Sequence, residues 1–159
     1  MERLRRAVWL VLAAATAALD LWSKALWVYP HDDFYPTNKT VLDGWLYIRT
    51  TWNEGGVWSS DLPKWLLLWG SALAVPALLL WLFWSRSART WDNAAKALVL
   101  GGAVGNLYDR WRWDRVRDWV DVVLFGWHYP TFNVADAALV VGIAILLLDS
   151  FRRRPEARS

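Results

Sequence analysis

Residues 65–84, WLLLWGSALAVPALLLWLFW, carry no charged side chain over the roughly 20 apolar residues a helix needs to cross a bilayer. No other feature restricts the fold so strongly. In lipid such a segment must satisfy its own backbone polar groups, and for a single run of this length that means a helix. Tryptophans stand at both of its ends, the position this residue favours where membrane meets water. Pro76 in the middle is tolerable in a membrane helix. Three more stretches read as spans: 7–29, interrupted by Asp20 and Lys24; 91–108, carrying Gly101, Gly102 and Gly105; and 132–148. The sequence therefore predicts a mainly α membrane protein with four transmembrane helices, forming one integral membrane domain over 1–159. The segments 30–64 and 109–131 then emerge on one side. WLYIRTTW in the first of them has strand-like residues with imperfect alternation, which suggests a small β-rich platform on the membrane.

Charge sets the orientation. RLRR at the start, Arg86, Arg89 and Lys96 between the second and third spans, and RRR near the end fall on one side of a four-span chain. The positive-inside rule makes that side cytoplasmic, with both termini inside and the two long loops extracytoplasmic. Arg110, Arg112, Arg115 and Arg117 in 109–131 run against the rule, and the aspartates beside them count little in it. RLRR followed by AVWLVLAAATAAL also fits a secretory signal peptide; three further spans downstream favour an uncleaved first helix. Fifteen tryptophans suit a membrane interface. The absence of cysteine removes disulfides, thiol nucleophiles and cysteine zinc sites, and rules out lipid modification of a cysteine in this chain. A net charge of +3 without a single basic patch argues against nucleic acid as a partner.

An ionised carboxylate costs several kcal/mol in hydrocarbon unless it is paired, hydrated or protonated, so the polar intrusions need an account. In NVAD, Asn133 and Asp136 are spaced as a helix N-cap and a carboxylate at the positive end of the helix dipole. Asp20 and Lys24 lie at i and i+4 and can neutralise each other. Gly101 and Gly105 allow close helix packing, Asp109 and Arg110 can pair at a helix end, and NEGG reads as a tight turn. Structural roles thus cover each cluster singly. They do not cover the convergence of Asp114, Asp118 and Asp121 on the face of Asp136. Asp20, Asn53, Asn106, Asp109, Asp118, Asn133 and Asp136 are together expected near one membrane surface, and polar groups gathered there are a functional-site hypothesis.

Five motifs in order resemble those of the prolipoprotein signal peptidases, or signal peptidase II. DLWSK is similar to D-x-x-(S/T)-K, NEGGVW to N-x-G-x-x-(F/W), GGAVGNLYDR to G-G-x-x-G-N-x-x-D-R, VRDW to V-V-D-(F/W), and FNVAD to F-N-x-A-D. Arg117 replaces the second valine of V-V-D. The resemblance implies an aspartyl endopeptidase of the bacterial cytoplasmic membrane. It would cut diacylglyceryl-modified prolipoproteins on the amino side of the lipidated cysteine. Its catalytic carboxylates carry over to Asp118 and Asp136; Asp118 is preferred to Asp121 because Trp119 supplies the aromatic that follows. Asn53, Gly55, Asn106, Asp109, Arg110, Asn133 and Ala135 would position substrate or support the site, and Asp20 and Lys24 would act structurally. The implied partners are prolipoprotein signal peptides and membrane lipid, with the chain a monomer and neither metal nor cofactor needed.

The residues themselves agree with this chemistry. The sequence holds no His-Glu-x-x-His and no Gly-x-Ser-x-Gly motif, and its two histidines, His31 and His128, read as structural or loop residues. Two carboxylates within about 3 Å cannot both ionise easily, so they share a proton. One then takes a proton from water while the other gives one to the carbonyl oxygen. Two other classes compete. A small proton-coupled transporter would bury charges nearer mid-membrane and often in repeated halves, and no internal repeat is visible. A catalytically inactive scaffold could lose a dyad aspartate, and both are present.

Overall fold

The apolar runs form helices and the polar-bounded segments between them pair as strands. The computed structural model describes residues 2–28, 38–55, 62–84 and 89–152; Tyr29, His31, Gly56 and Arg86 lie outside them. In chain order the elements are α1 (Glu2–Trp27), β1 (Asn38–Leu42), β2 (Leu46–Asn53), α2 (Lys64–Trp84), α3 (Thr90–Trp113), β3 (Val116–Leu124), β4 (Trp127–His128) and α4 (Val134–Arg152). Among the described residues, three helices are long and apolar enough to cross a membrane: α1 from Arg6, α2 and α4. The fourth expected span, 91–108, is helical as part of α3 but is not among them. Its composition explains why: α3 carries Asp92, Lys96, Asp109, Arg110 and Arg112, and twelve of its 24 residues are buried. The first three of these face protein, because α3 packs against α1, α2 and α4. By contrast α2, apolar along its length, buries only Leu82 within the protein, the pattern of a helix suited to spanning a membrane.

The α3 glycines set how closely this packing can be drawn. A β-carbon on Gly101 would stand 2.5 Å from the Ala13 carbonyl oxygen of α1, and one on Gly102 would stand 2.5 Å from the Ala135 carbonyl oxygen of α4. Both are impossible contacts, so glycine lets two neighbouring backbones touch α3 directly. An apolar cluster of Ala13, Leu82, Ala97 and Leu100 then ties α1, α2 and α3 together.

The strands form an antiparallel sheet in the order β1-β2-β3-β4, where α1 and α3 finish and α4 begins. On β3, Asp118 pairs with Thr51 and Asp121 with Tyr47, with a register shift in β2 between Ile48 and Thr51. Phe132 bridges to Val120, through Val120 N donating to Phe132 O at 2.9 Å and Phe132 N donating to Val120 O at 3.1 Å. That bridge seats the start of α4 against β3 and brings residues 133 and 136 to residue 118. Two boundaries differ from the sequence expectation. α3 continues to Trp113, past the expected end at residue 108, and α4 begins at Val134 rather than at residue 132.

Candidate active site

The first turn of α4 is closed by reciprocal hydrogen bonds. Asp136 N donates to Asn133 Oδ1 at 2.9 Å, and Asn133 N donates to Asp136 Oδ2 at 3.2 Å. This is the capping arrangement the spacing suggests, and it leaves Asp136 Oδ1 free to accept from Asn106 Nδ2 at 2.8 Å. Asp118, only 1% exposed, accepts from Asn133 Nδ2 at 2.7 Å on one oxygen and from Asn53 Nδ2 at 3.1 Å on the other. Asn133 therefore touches both carboxylates. Burial, and after it the charge of Asp136, pushes the Asp118 carboxyl from the ordinary 3.8 up to about 7, against the pull of the Asn53 and Asn133 hydrogen bonds and the Lys24 charge.

Beneath the two carboxylates lies a buried ionic group. Lys24 Nζ stands 2.7 Å from Asp20 Oδ2 and 3.2 Å from Asp109 Oδ2, and donates to Asn106 Oδ1 at 3.0 Å. Arg117 Nη2 is 2.7 Å from Asp109 Oδ1, and the Arg117 backbone N–H donates to Asp109 Oδ2 at 3.0 Å. Asp20 Oδ1 accepts from Ala135 N at 2.9 Å. Two carboxylates thus meet two cations, which keeps the buried group neutral. Lysine has donors only, so the Asn106 carbonyl must face Lys24 and its amide must face Asp136. In the same way the Asp136 N–H occupies Asn133 Oδ1 and leaves the Asn133 amide for Asp118.

A cavity of about 640 Å³ opens beside Asp136, between α2, α3, α4 and residues 129–132. Asn53, Asn106, Arg110 and Asp136 form its polar end, while Ala74, Ala103, Leu139, Val140 and Ile143 line the rest. Its size and its few convergent polar groups suit a bound ligand.

All eleven residues singled out in the sequence lie in this network or against it. Gly55 acts through its backbone N–H, which donates to Asn53 Oδ1 at 3.0 Å and so turns the Asn53 amide toward Asp118. Arg110 lines the cavity. Two expectations are corrected. Asp109 directs its carboxylate to Lys24 and Arg117 rather than to the adjacent Arg110. Of Asp114, Asp118 and Asp121, only Asp118 shares a partner with Asp136. Asp114 is exposed and caps the end of α3 with a left-handed φ of 56°. Asp121, three residues along the strand, points to the opposite face of the sheet, where it meets Arg49 Nε at 3.1 Å and His128 Nδ1 at 2.8 Å. Sequence reasoning missed the role of Arg117, because its partner lies on another element and no periodicity links the two. It also missed Tyr129 and Phe132 as cavity walls.

The fold is that of known bacterial membrane enzymes. One solved by the in meso method at 2.3 Å superposes with a TM-score of 0.82 at 22% identity, over 96% of this chain and 94% of the other. A second, at 1.9 Å, gives 0.80 at 21% identity over 93% and 95%. Sequence similarity narrows that class: the family described as Signal peptidase (SPase) II matches residues 12–152, and the chain belongs to it. A lipoprotein signal peptidase of Xanthomonas campestris pv. campestris (strain 8004) is 41% identical over 156 residues, covering 92% of each chain. One from Yersinia pestis (strain Pestoides F) is 34% identical over 149 residues, 90% of this chain and 86% of the relative.

Proposed function

We propose that the protein is an aspartic endopeptidase of the bacterial inner membrane. It removes signal peptides from diacylglyceryl-modified prolipoproteins by cutting on the amino side of the lipidated cysteine, with Asp118 and Asp136 as its catalytic pair. The observation that carries this reading is Asn133. It donates to Asp118 and caps Asp136 from a single side chain, so two carboxylates from different elements share one partner, behind the cavity that Asp136 lines. With one proton between them, one carboxylate takes a proton from the attacking water and the other protonates the scissile carbonyl oxygen. The resulting tetrahedral centre then collapses as the amine leaves with a proton returned by the pair. Asn53, Asn106 and Arg110 face the peptide at the polar end, and the apolar remainder of the cavity takes the signal helix and acyl chains. Asp20, Lys24, Asp109, Asn133 and Ala135 hold the pair from below, and Gly55 fixes Asn53.

In this reading α3 is the fourth membrane span, shielded from lipid by its neighbours, within one domain. The α2–α3 connection and both termini are cytoplasmic, and the sheet lies on the extracytoplasmic surface with the catalytic pair beneath it. Each chain carries both carboxylates, so a monomer suffices. The test is cleavage of a lipidated precursor by purified protein. Asp118→Asn and Asp136→Asn should each abolish the shortened product while the protein stays folded, whereas Asp121→Asn should retain most activity. Loss with Asp121→Asn and retention with Asp118→Asn would overturn the assignment.

A further inference from the structure

The hairpin from β3 to β4 turns through Phe125 and Gly126, both at positive φ, 53° and 79°. Such a two-residue turn strongly favours Asn-Gly or Asp-Gly, because a residue with a β-carbon is sterically disfavoured in the left-handed region and asparagine or aspartate tolerates it best. A phenylalanine here is poorly suited to its backbone. It is also poorly suited to water, since Phe125 is 106% exposed, with Leu124 and Trp127 exposed beside it. Val123 N donates to Trp45 O at 2.8 Å, which adds the exposed Trp45 of the β1–β2 turn to the same edge. From Val122 to Ala135 the only ionisable side chain besides Tyr129 is His128, and it is engaged by Asp121.

Two features choose the occupant of this edge. The composition of the β3–β4 turn itself, Leu124, Phe125 and Trp127 without a charged neighbour between them, is that of segments lying at the headgroup boundary of a bilayer. Its position is continuous with the cavity: Trp127 stacks edge-on against Tyr129 at 6.0 Å, and Tyr129 against Phe132 at 6.1 Å, and Tyr129 and Phe132 are cavity walls. We propose that the Phe125–Gly126 turn, with Leu124 and Trp127, inserts into the lipid leaflet on the sheet side. There it anchors the ring ladder that forms one wall of the cavity. The inference rests on the membrane setting proposed above and places the cavity mouth at the depth where a lipid-modified substrate lies.

The chain contains no cysteine, so Phe125→Cys gives a single labelling site. The labelled full chain is placed, without substrate, in vesicles of phosphatidylethanolamine and phosphatidylglycerol. An environment-sensitive fluorophore at 125 should be quenched by lipids spin-labelled near the headgroup and protected from aqueous iodide. Quenching by iodide with no effect of the spin-labelled lipids would overturn the proposal. So would protection that appears only when a soluble extracytoplasmic protein is added, which would assign the turn to a protein partner. Because insertion is read without cleavage, it fails or succeeds separately from the catalytic assignment. A second variant, Phe125→Asn, suits the turn and should leave the melting temperature in detergent unchanged or higher. In vesicles it should raise KM three- to tenfold with kcat unchanged, and in detergent it should change neither. Equal KM for both proteins in vesicles would count against the proposal.

Discussion

Asp118→Asn should stabilise the protein at alkaline pH while removing its activity. The Asp118 carboxyl is raised from 3.8 to about 7 by burial first and the charge of Asp136 second. Between these two values the folded chain holds a proton that the unfolded chain has released, so stability falls as pH rises through that window and levels off above it. The difference corresponds to about 4 kcal/mol lost from acid to neutral pH. Asparagine cannot ionise, so the variant escapes this loss. It keeps an acceptor for Asn133 but turns its own amide toward Asn53 Nδ2, whose partner is now the Asp118 oxygen at 3.1 Å. That mismatch costs about 1–2 kcal/mol at every pH. The variant should therefore be less stable than the wild type near pH 4 and more stable, by about 2–3 kcal/mol, near pH 8. Melting in detergent across this range checks it, read as the difference between the two proteins so that other carboxylates cancel. Parallel curves for the two proteins would refute the reasoning, since they would mean that the Asp118 carboxyl titrates alike in the folded and unfolded chains.

Asn106→Asp keeps an oxygen toward Lys24 but presents a carboxylate, instead of an amide, to Asp136. Loss of a hydrogen bond to a charged group is worth about 1.5–3 kcal/mol, so kcat should fall roughly 10- to 150-fold with folding intact; a kcat within threefold of wild type would show that the Asn106 amide does not act on Asp136. For topology, cysteines introduced at the exposed Asp43 and Thr90 should respond oppositely to an impermeant thiol reagent in intact cells. Asp43→Cys should label and Thr90→Cys should not, and the reverse pattern would place the sheet in the cytoplasm.

Hydrophobic runs and short motifs made the helices and the candidate site legible, because each depends on residues close together in sequence. The Asn133 to Asp136 cap is three residues long, and the Asp20 to Lys24 pair is one helical turn. The failures share a cause. Whether Asp114, Asp118 or Asp121 faces Asp136 depends on where α3 ends and on strand alternation in β3, and neither boundary has a strong local signal. The left-handed Asp114 that ends α3 decides both. Arg117 looked anomalous because its partner, Asp109, sits on the preceding helix, and only the chain reversal between them brings the two together. The stretch 91–108 was legible as a helix yet not as an apolar one, because its polar residues answer to three protein neighbours.

The capping role of Asn133 and Asp136 and the catalytic arrangement proposed for them are not alternatives. A capping pair has fixed geometry, since each backbone N–H must meet the other side chain, and this geometry spends one Asn133 oxygen and one Asp136 oxygen. What remains is one amide on Asn133, aimed at Asp118, and one oxygen on Asp136, met by Asn106. Lys24, which can only donate, decides the orientation of Asn106. Each amide is thus fixed by a backbone or ammonium group that cannot reverse its role, so neither can turn a carbonyl toward the carboxylate it serves. The carboxylates are held by groups whose orientation is set before any substrate arrives, which is the preorganisation that makes a polar site effective when water is scarce. A helix cap was therefore a suitable place to build such a pair, because the fold already had to fix those atoms to begin α4.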